Sequence, residues 1–369
     1  MYKPLRHLFT GLVILLTISS ASAHARTYST FSRYGLGELN SRGLGIYEAM
    51  GGFGIDIKAN NLNILVPASY TTMNSMSFFF DVGLSNNTQT ISNSLGSQTF
   101  SDINFDYFAL GFPVSQQMAL TVGVRPAAQA GYNYESPGKI TEPSLDTAIG
   151  GGNFTYLYGG IGIKATPQLS VGAHASFWVG DIDHKSYINF TECQDEPSYG
   201  IKNEHSISSL LFDFGMQYTK PLADNQSLTV GVIFSPRMSL NGQSSILTAN
   251  DNLFGTEEIL FTTNNTIQEK TKEIDWVDAN FKMPAKFGFG LSYQKKDLAA
   301  DYSMTQGGSF DFPDEVTETA DASKLAFGTE WIPNKKTGTK YYQHIQYRTG
   351  IHYNNDYLKF EGNQLKNSA

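Results

Sequence analysis

Cysteine is almost missing from this chain: Cys193 is the only one among 369 residues. A single thiol excludes a disulfide framework and a thiolate zinc site. Charge is sparse as well, at 16% of residues, against about a quarter in a typical globular domain. What charge there is sums to −8, so the clustered cations that neutralise a phosphate backbone are lacking and no nucleic-acid partner is expected. Long apolar runs are scarce too. Leu8–Ile18 is short, and no later segment approaches the roughly 20 residues that a spanning helix needs.

Glycine (35 residues), phenylalanine (25) and tyrosine (20) are abundant instead. The composition is too apolar and too weakly charged for disorder. The N-terminus reads as a secretory signal: Lys3 and Arg6 make a basic region, Leu8–Ile18 an apolar core and Ala21-Ser22-Ala23 a small-residue cleavage site. Residues 1–23 are therefore expected to be a signal peptide that carries the chain through the inner membrane.

From Met76 onward the pattern has a period of two, the mark of half-buried strands. Phe78, Phe80, Val82 and Leu84 alternate with Ser77, Asp81 and Gly83. Leu210, Phe212, Phe214, Met216 and Tyr218 alternate with Ser209, Asp213, Gly215 and Gln217. Phe287, Phe289, Leu291 and Tyr293 alternate with Lys286, Gly288, Gly290 and Ser292. A soluble sandwich alternates in the same way, and the connections separate the two. Tight turns fall near 113–117, 166–168, 221–225 and 295–297, and long polar loops at 131–153, 181–205, 241–284 and 307–322. Short turns at one end and long loops at the other is the layout of an outer-membrane barrel. Tyr132, Tyr134, Tyr218, Tyr293, Trp331, Tyr341 and Tyr342 near strand ends suit interfacial girdles. The fold class is all-β, a transmembrane antiparallel β-barrel. Eleven strands can be drawn, and a twelfth begins at Tyr357–Phe360.

The segment before the first strand differs. It carries Arg33-Tyr34-Gly35-Leu36-Gly37, Gly43-Leu44-Gly45, Met50-Gly51-Gly52 and then Val66-Pro67-Ala68-Ser69-Tyr70. No apolar strand precedes the glycines and no helix pattern follows, so a dinucleotide fingerprint does not fit. Glycine here permits close backbone packing. Residues 24–74 read as a hatch folded into the lumen, with Gly51, Gly52, Pro67 and Ala68 as its packing positions, and residues 75–369 as the barrel.

The runs Ser32-Arg33-Tyr34-Gly35, Met50-Gly51-Gly52 and Val66-Pro67-Ala68 resemble the opening of the FadL-like outer-membrane transporters of hydrophobic compounds, especially their bacteroidete-type relatives. The resemblance implies a fourteen-stranded barrel plugged by an N-terminal hatch, with a third strand that kinks inward to open a lateral exit. One position departs: Val66 stands where the family has the Asn of Asn-Pro-Ala, so that residue's hydrogen bonds are lost. Measured against fourteen strands, the drawn count and the polar ending Lys366–Ala369 read as a C-terminal truncation, in which case the first and last strands should not pair.

Several residues invite a functional reading beside an ordinary one. Arg125, Asp213, Lys286, Asp301, Lys324, Glu330 and Arg348 fall on the lumenal phase. They are either a polar guide for a ligand and lock for the hatch, or the default polarity of a lumen. Pro126 either ends its strand or kinks the wall, because proline cannot donate to a ladder. His174, His344 and His352 raise a lipid hydrolase, but their phase points inward, away from lipid. Asp181, Asp183 and His184 could hold a metal ion, though a solvated loop accounts for them equally. Cys193, in an acidic loop without a nearby base, is no nucleophile.

The expectation is a monomeric outer-membrane channel, not an enzyme and without a cofactor. It takes up hydrophobic small molecules, long-chain fatty acids or aromatic hydrocarbons, through a plugged barrel with a lateral exit, and its partners are the bilayer and that molecule. Alternatives are a docking protein in secretion and an outer-membrane lipid hydrolase.

Overall fold

The alternation is realised as one antiparallel wall. The structure is a computed structural model and describes residues 28–40, 43–52, 54–56, 62–74, 77–93, 96–137, 144–190, 198–222, 226–251, 272–295, 298–307, 318–333, 342, 345–360 and 362–368. The signal segment, His344 and Cys193 lie outside these residues. The strands are β1 (Glu38–Leu39), β2 (Phe79–Asn93), β3 (Gly96–Pro113), β4 (Met118–Pro137), β5 (Ser144–Lys164), β6 (Leu169–Phe190), β7 (Ser198–Leu222) and β8 (Gln226–Ser235). They continue as β9 (Met238–Asp251), β10 (Lys272–Met283), β11 (Lys286–Lys295), β12 (Leu298–Gly307), β13 (Glu318–Thr319), β14 (Ser323–Trp331), β15 (Tyr347–Phe360) and β16 (Asn363–Ser368).

Neighbours in sequence pair as neighbours in space from β2 to β8, then through β11, β12, β14 and β15 to β16. β9 continues β8 after a break at Pro236, and β10 leads into β11 after a break at Pro284; β9 and β10 pair with each other. Counting each bent pair as one strand, the described wall has eleven long strands and the six-residue β16. Among the described residues no ladder joins β2 to β15 or β16.

Burial is inverted relative to a water-soluble protein. Phe80, Leu84, Leu210, Phe214, Phe287 and Ile351 are exposed, whereas Thr121, Arg125, Ser170, His174, Ser176, Ser209 and Gln217 are buried. Apolar side chains outside and polar ones inside is the arrangement a strand adopts with lipid on one face and a lumen on the other. No described helix is long and apolar enough to cross a membrane; the crossings are strands.

The long loops expected at 131–153, 181–205 and 241–284 are largely strand. β4 and β5 stay in register to Pro137↔Leu145, β6 and β7 to Ile188↔Tyr199, and β9 and β10 to Thr248↔Lys272. These extensions are rich in polar residues, with buried exceptions such as Ile182 and Ile207, so no sustained alternation marks them. Side-chain bonds add to their backbone ladders, between Tyr132 and His184 (2.7 Å) and between His205 and Ser244 (2.8 Å), as do the Thr88–Ser101 and Thr90–Thr99 hydroxyl pairs at the tip of β2–β3.

Inside the lumen, the segment before β2 makes a short turn at Thr30–Arg33, one helical turn at Gly45–Glu48 and a 3-10 helix at Pro67–Thr72. Leu44, Tyr47, Met50, Ile55, Val66, Ala68 and Tyr70 are buried there. Val66, where an Asn was expected, is fully buried just before the 3-10 helix. Asn63 supplies the side-chain bonds of this turn: its Nδ2 donates to the Gly54 carbonyl at 2.7 Å and its Oδ1 accepts from the Leu65 N–H at 3.1 Å.

Candidate functional site

Two structures share the lumen, a seat that holds the hatch and a cavity beyond it. The seat is made by glycines on the lumenal phase. Gly162, Gly172 and Gly215 are register partners across β5, β6 and β7. A Cβ on Gly172 would lie 2.4 Å from the Pro67 carbonyl carbon, and one on Gly162 would lie 2.7 Å from its oxygen. Further round, a Cβ on Gly231 would lie 2.2 Å from the Ile55 oxygen, and one on Gly350 would lie 2.2 Å from the Met50 carbonyl carbon. Contacts this close admit no side chain. The structure thus sets Pro67 and Ala68 in a trough of wall glycines. Gly51 and Gly52 lie against β14 and β15, both with positive φ (92° and 76°) that glycine adopts without strain.

Irregular backbone at membrane depth needs hydrogen-bond partners from the protein around it, and wall side chains supply them. Gln217 Nε2 donates to the Ile55 carbonyl (2.8 Å), Ser292 Oγ to Asp56 (3.0 Å), Lys324 Nζ to Gly52 (3.1 Å) and Tyr357 Oη to Gly37 (2.8 Å). Thr71 Oγ1 and Ser170 Oγ lie 2.7 Å apart. Tyr70 Oη and His174 Nε2 share a short hydrogen bond, with Tyr158 packed on the same imidazole. Burial pushes the Tyr47 and Tyr70 phenols up, which keeps both protonated in the hatch. His174 is thereby engaged with the hatch. His352 is partly exposed on β15.

Beyond the seat lies a cavity of about 270 Å³. Leu39, Leu65, Tyr156, Trp178, Leu211, Met238 and Met283 give it apolar walls, and Arg125, Lys286, Lys324 and Asp213 bring charge to it. Tyr156 and Trp178 stack with ring planes 8° apart. Arg125, 4% exposed, donates through Nη2 to the Asn40 carbonyl at 2.8 Å and lies 5.3 Å over the Tyr156 ring; its Nε has no partner among the described atoms. Asp213 accepts a short hydrogen bond from the Ser235 hydroxyl.

Four of the singled-out lumenal charges, Arg125, Asp213, Lys286 and Lys324, therefore meet in one cavity. Glu330 and Arg348 do not join them; they form an ion pair at 2.7 Å nearer the short-turn end. The side chain of Asp301 lies outside the described residues. Asp183 pairs with Lys185 at 3.2 Å, and His184 Nδ1 lies 2.7 Å from Tyr132 Oη, both on the extended hairpin.

Pro126 does not end its strand. β4 runs to Pro137, with a bulge between Pro126 and Ala128. The ladder to β3 stops two residues earlier, at Phe108↔Val124. The hatch takes up the edge that β3 leaves: Glu38 and Leu39 pair with Gln129 and Ala128, and Asn40 N–H donates to the Ala127 carbonyl at 2.8 Å. The glycine seat was missed by sequence reasoning, although its signal is present. Glycine recurs on the polar phase of strand after strand, where serine or threonine would serve an ordinary lumen.

These features define a class, an outer-membrane β-barrel plugged by its own N-terminal segment. The BamG family model matches residues 5–369, and the chain belongs to the BamG family. No curated protein matches it. Its fold is similar to the crystal structure of the Ralstonia pickettii toluene transporter TbuX, with a TM-score of 0.51 and 14% identity over 86% of this chain and 88% of that one. It is also similar to a deletion mutant of TodX, a monoaromatic hydrocarbon channel, with a TM-score of 0.54 and 14% identity over 86% of this chain and 84% of that one. At such identity the likeness is one of fold.

Proposed function

We propose that this protein is an outer-membrane channel for hydrophobic small molecules, taken up past the hatch and released sideways. The observation that carries the reading is the cavity, apolar and aromatic on most sides, set beside an interrupted wall at Pro126. The similar toluene transporters lend the fold a precedent for such cargo. Within the class, three cations against one carboxylate favour an amphiphile with a carboxylate head, as in a long-chain fatty acid, over a neutral aromatic hydrocarbon. The apolar tail would lie on Tyr156, Trp178 and Leu211 and the head would sit near Lys286 and Arg125.

The test is binding by the purified protein of labelled oleate and labelled toluene, with uptake by cells carrying or lacking the gene. Lys286→Ala should weaken oleate about tenfold, equivalent to ~1.4 kcal/mol, and leave toluene unchanged. Saturable binding of neither compound would end the reading.

A second reading, a docking protein in secretion, is favoured by the wall height. β6 and β7 have 22 and 25 residues, where a tilted membrane strand needs about 9–11. The surplus raises a stiff sheet by roughly 35 Å. Replacing the β9–β10 hairpin by a short turn would abolish partner capture on this reading and leave oleate binding intact.

A further inference from the structure

We propose that the wall has a second lateral opening, between β7 and the bent β8–β9 strand, through which a single-chain anionic amphiphile exchanges between the outer leaflet and the cavity. The proposal rests on the channel reading above and assigns its route.

The opening is an interruption in the ladder. β7 pairs with β9 as far as Ile207↔Gly242 and with β8 from Phe214↔Phe234. Residues 208–213 between these points have no ladder partner on that side, while on the other side β6 pairs with every one of them. Unsatisfied peptide groups facing lipid are costly, so a gap of this length persists only where the sequence enforces it. Two prolines do so. Pro236 interrupts the β8–β9 strand and Pro284 its neighbour, both between the register pairs Ser235↔Lys286 and Met238↔Met283. Neither can donate to a ladder, and both lie at one height.

The gap and the cavity are continuous. Leu211 and Asp213 on one lip, and Pro236 and Met238 on the other, line the cavity directly. Their neighbours Leu210 and Phe212 are 53% and 42% exposed on the lipid face, which places the gap within the membrane. What bridges it is slight. Ser209 Oγ bonds with the Asn241 backbone, its N–H at 2.5 Å, and the Phe212 N–H points to Met238 Sδ at 3.4 Å. A thioether is a weak acceptor on a flexible side chain, so this lip parts at little cost.

The break at Val124 offers a contrast. There the hatch itself fills the edge, through β1, Asn40 and the Arg125 bond to it. The hatch strand β1 pairs with β4 and not with the lips of the gap between β7 and β8–β9. The chemistry selects the ligand. Asp213 repels an anion at the lip, but its carboxylate is held by Ser235, and Lys286 and Arg125 outnumber it within. Arg237 is exposed at the break, where it attracts anionic heads.

The test closes the gap covalently. Ser209→Cys with Asn241→Cys is built in a Cys193→Ser background and reconstituted as the full chain in phosphatidylcholine–phosphatidylglycerol vesicles. The probe is an undecanoate carrying a terminal dansyl group, whose fluorescence rises on binding. Oxidation should slow association from the bilayer at least tenfold, and reduction should restore it; neither single-cysteine variant should respond to oxidant. If the double variant fails to fold, Pro236→Val with Pro284→Val, which restores two ladder donors, should slow association severalfold on its own. Equal rates in the oxidised and reduced protein, with saturable binding in both, would overturn the opening and leave the channel reading standing. Absence of saturable binding in the wild type would overturn both.

Discussion

The same strands build two unlike regions a few residues apart. At one level β5, β6 and β7 present Gly162, Gly172 and Gly215, and the wall touches the backbone of the hatch. Six residues further along β5 and β6, the lumenal phase presents Tyr156 and Trp178, and on β7, two and four residues from Gly215, it presents Asp213 and Leu211, and the lumen is hollow. Small residues do not make the hollow, and large ones do not fill the lumen. Where the wall has no side chains the hatch descends onto it. Where the wall carries rings and long cations, space is left between the backbones, and Arg125 and Lys324 reach across to hatch carbonyls. Rigidity and access are thus allotted by residue size on one face of each strand.

The sharpest way to break this comparison is to give the seat a side chain. Gly172→Leu would drive a branched chain into the Pro67–Ala68 backbone. Overpacking of a flexible core costs about 1–3 kcal/mol, and here the obstacle is backbone. The expected result is a displaced hatch, seen as raised single-channel conductance, or loss of the heat-modifiable folded band. Gly159→Leu is the control, since a Cβ there meets nothing within 4 Å, and it should fold and conduct as the wild type. Equal behaviour of the two would remove the seat.

A smaller effect separates two of the cavity's three cations. Arg125→Ala leaves the Asn40 carbonyl without its donor, a loss of about 1–3 kcal/mol for a buried group, in addition to weaker carboxylate binding. Lys286→Ala should weaken binding alone. Urea titration of refolded protein beside oleate binding distinguishes them; a Lys286→Ala loss of stability equal to that of Arg125→Ala would make both structural.

Pro126→Ala should act on function more than on stability. Restoring a donor beside the bulge favours closure of the β3–β4 ladder, so oleate uptake should fall while the heat-modifiable band persists. Unchanged uptake would leave the bulge as a seat for Asn40 only. The least effect is expected from Arg348→Ala. Its pair with Glu330 is partly exposed, at 16% and 27%, and such pairs contribute under about 1 kcal/mol. A small shift in urea midpoint with unchanged oleate binding is expected, and a binding defect would place the pair on the ligand path.

The sequence by itself determined the class and the facing. A period of two with Phe and Leu on one phase and Gly, Ser and charge on the other admits few arrangements, because a strand's side chains must alternate and lipid accepts only one of the two sets. Arg125, Asp213 and Lys286 were legible as lumenal for that reason. Their meeting in one cavity was not, because strand phase says inside or outside and nothing about height. Register decides height, and register is a property of pairs of strands. The extended hairpins at 181–190 and 198–205 were hidden for a related reason: rich in polar residues, with buried exceptions such as Ile182, they carry only a broken alternation, and the ladder between them shows that they are strands. Pro126, Pro236 and Pro284 could each be seen as places where a donor is missing. Whether such a place is a strand end, a bulge filled by Asn40 or a gap onto lipid depends on what the neighbouring strand brings to it, and only the tertiary structure supplies that neighbour.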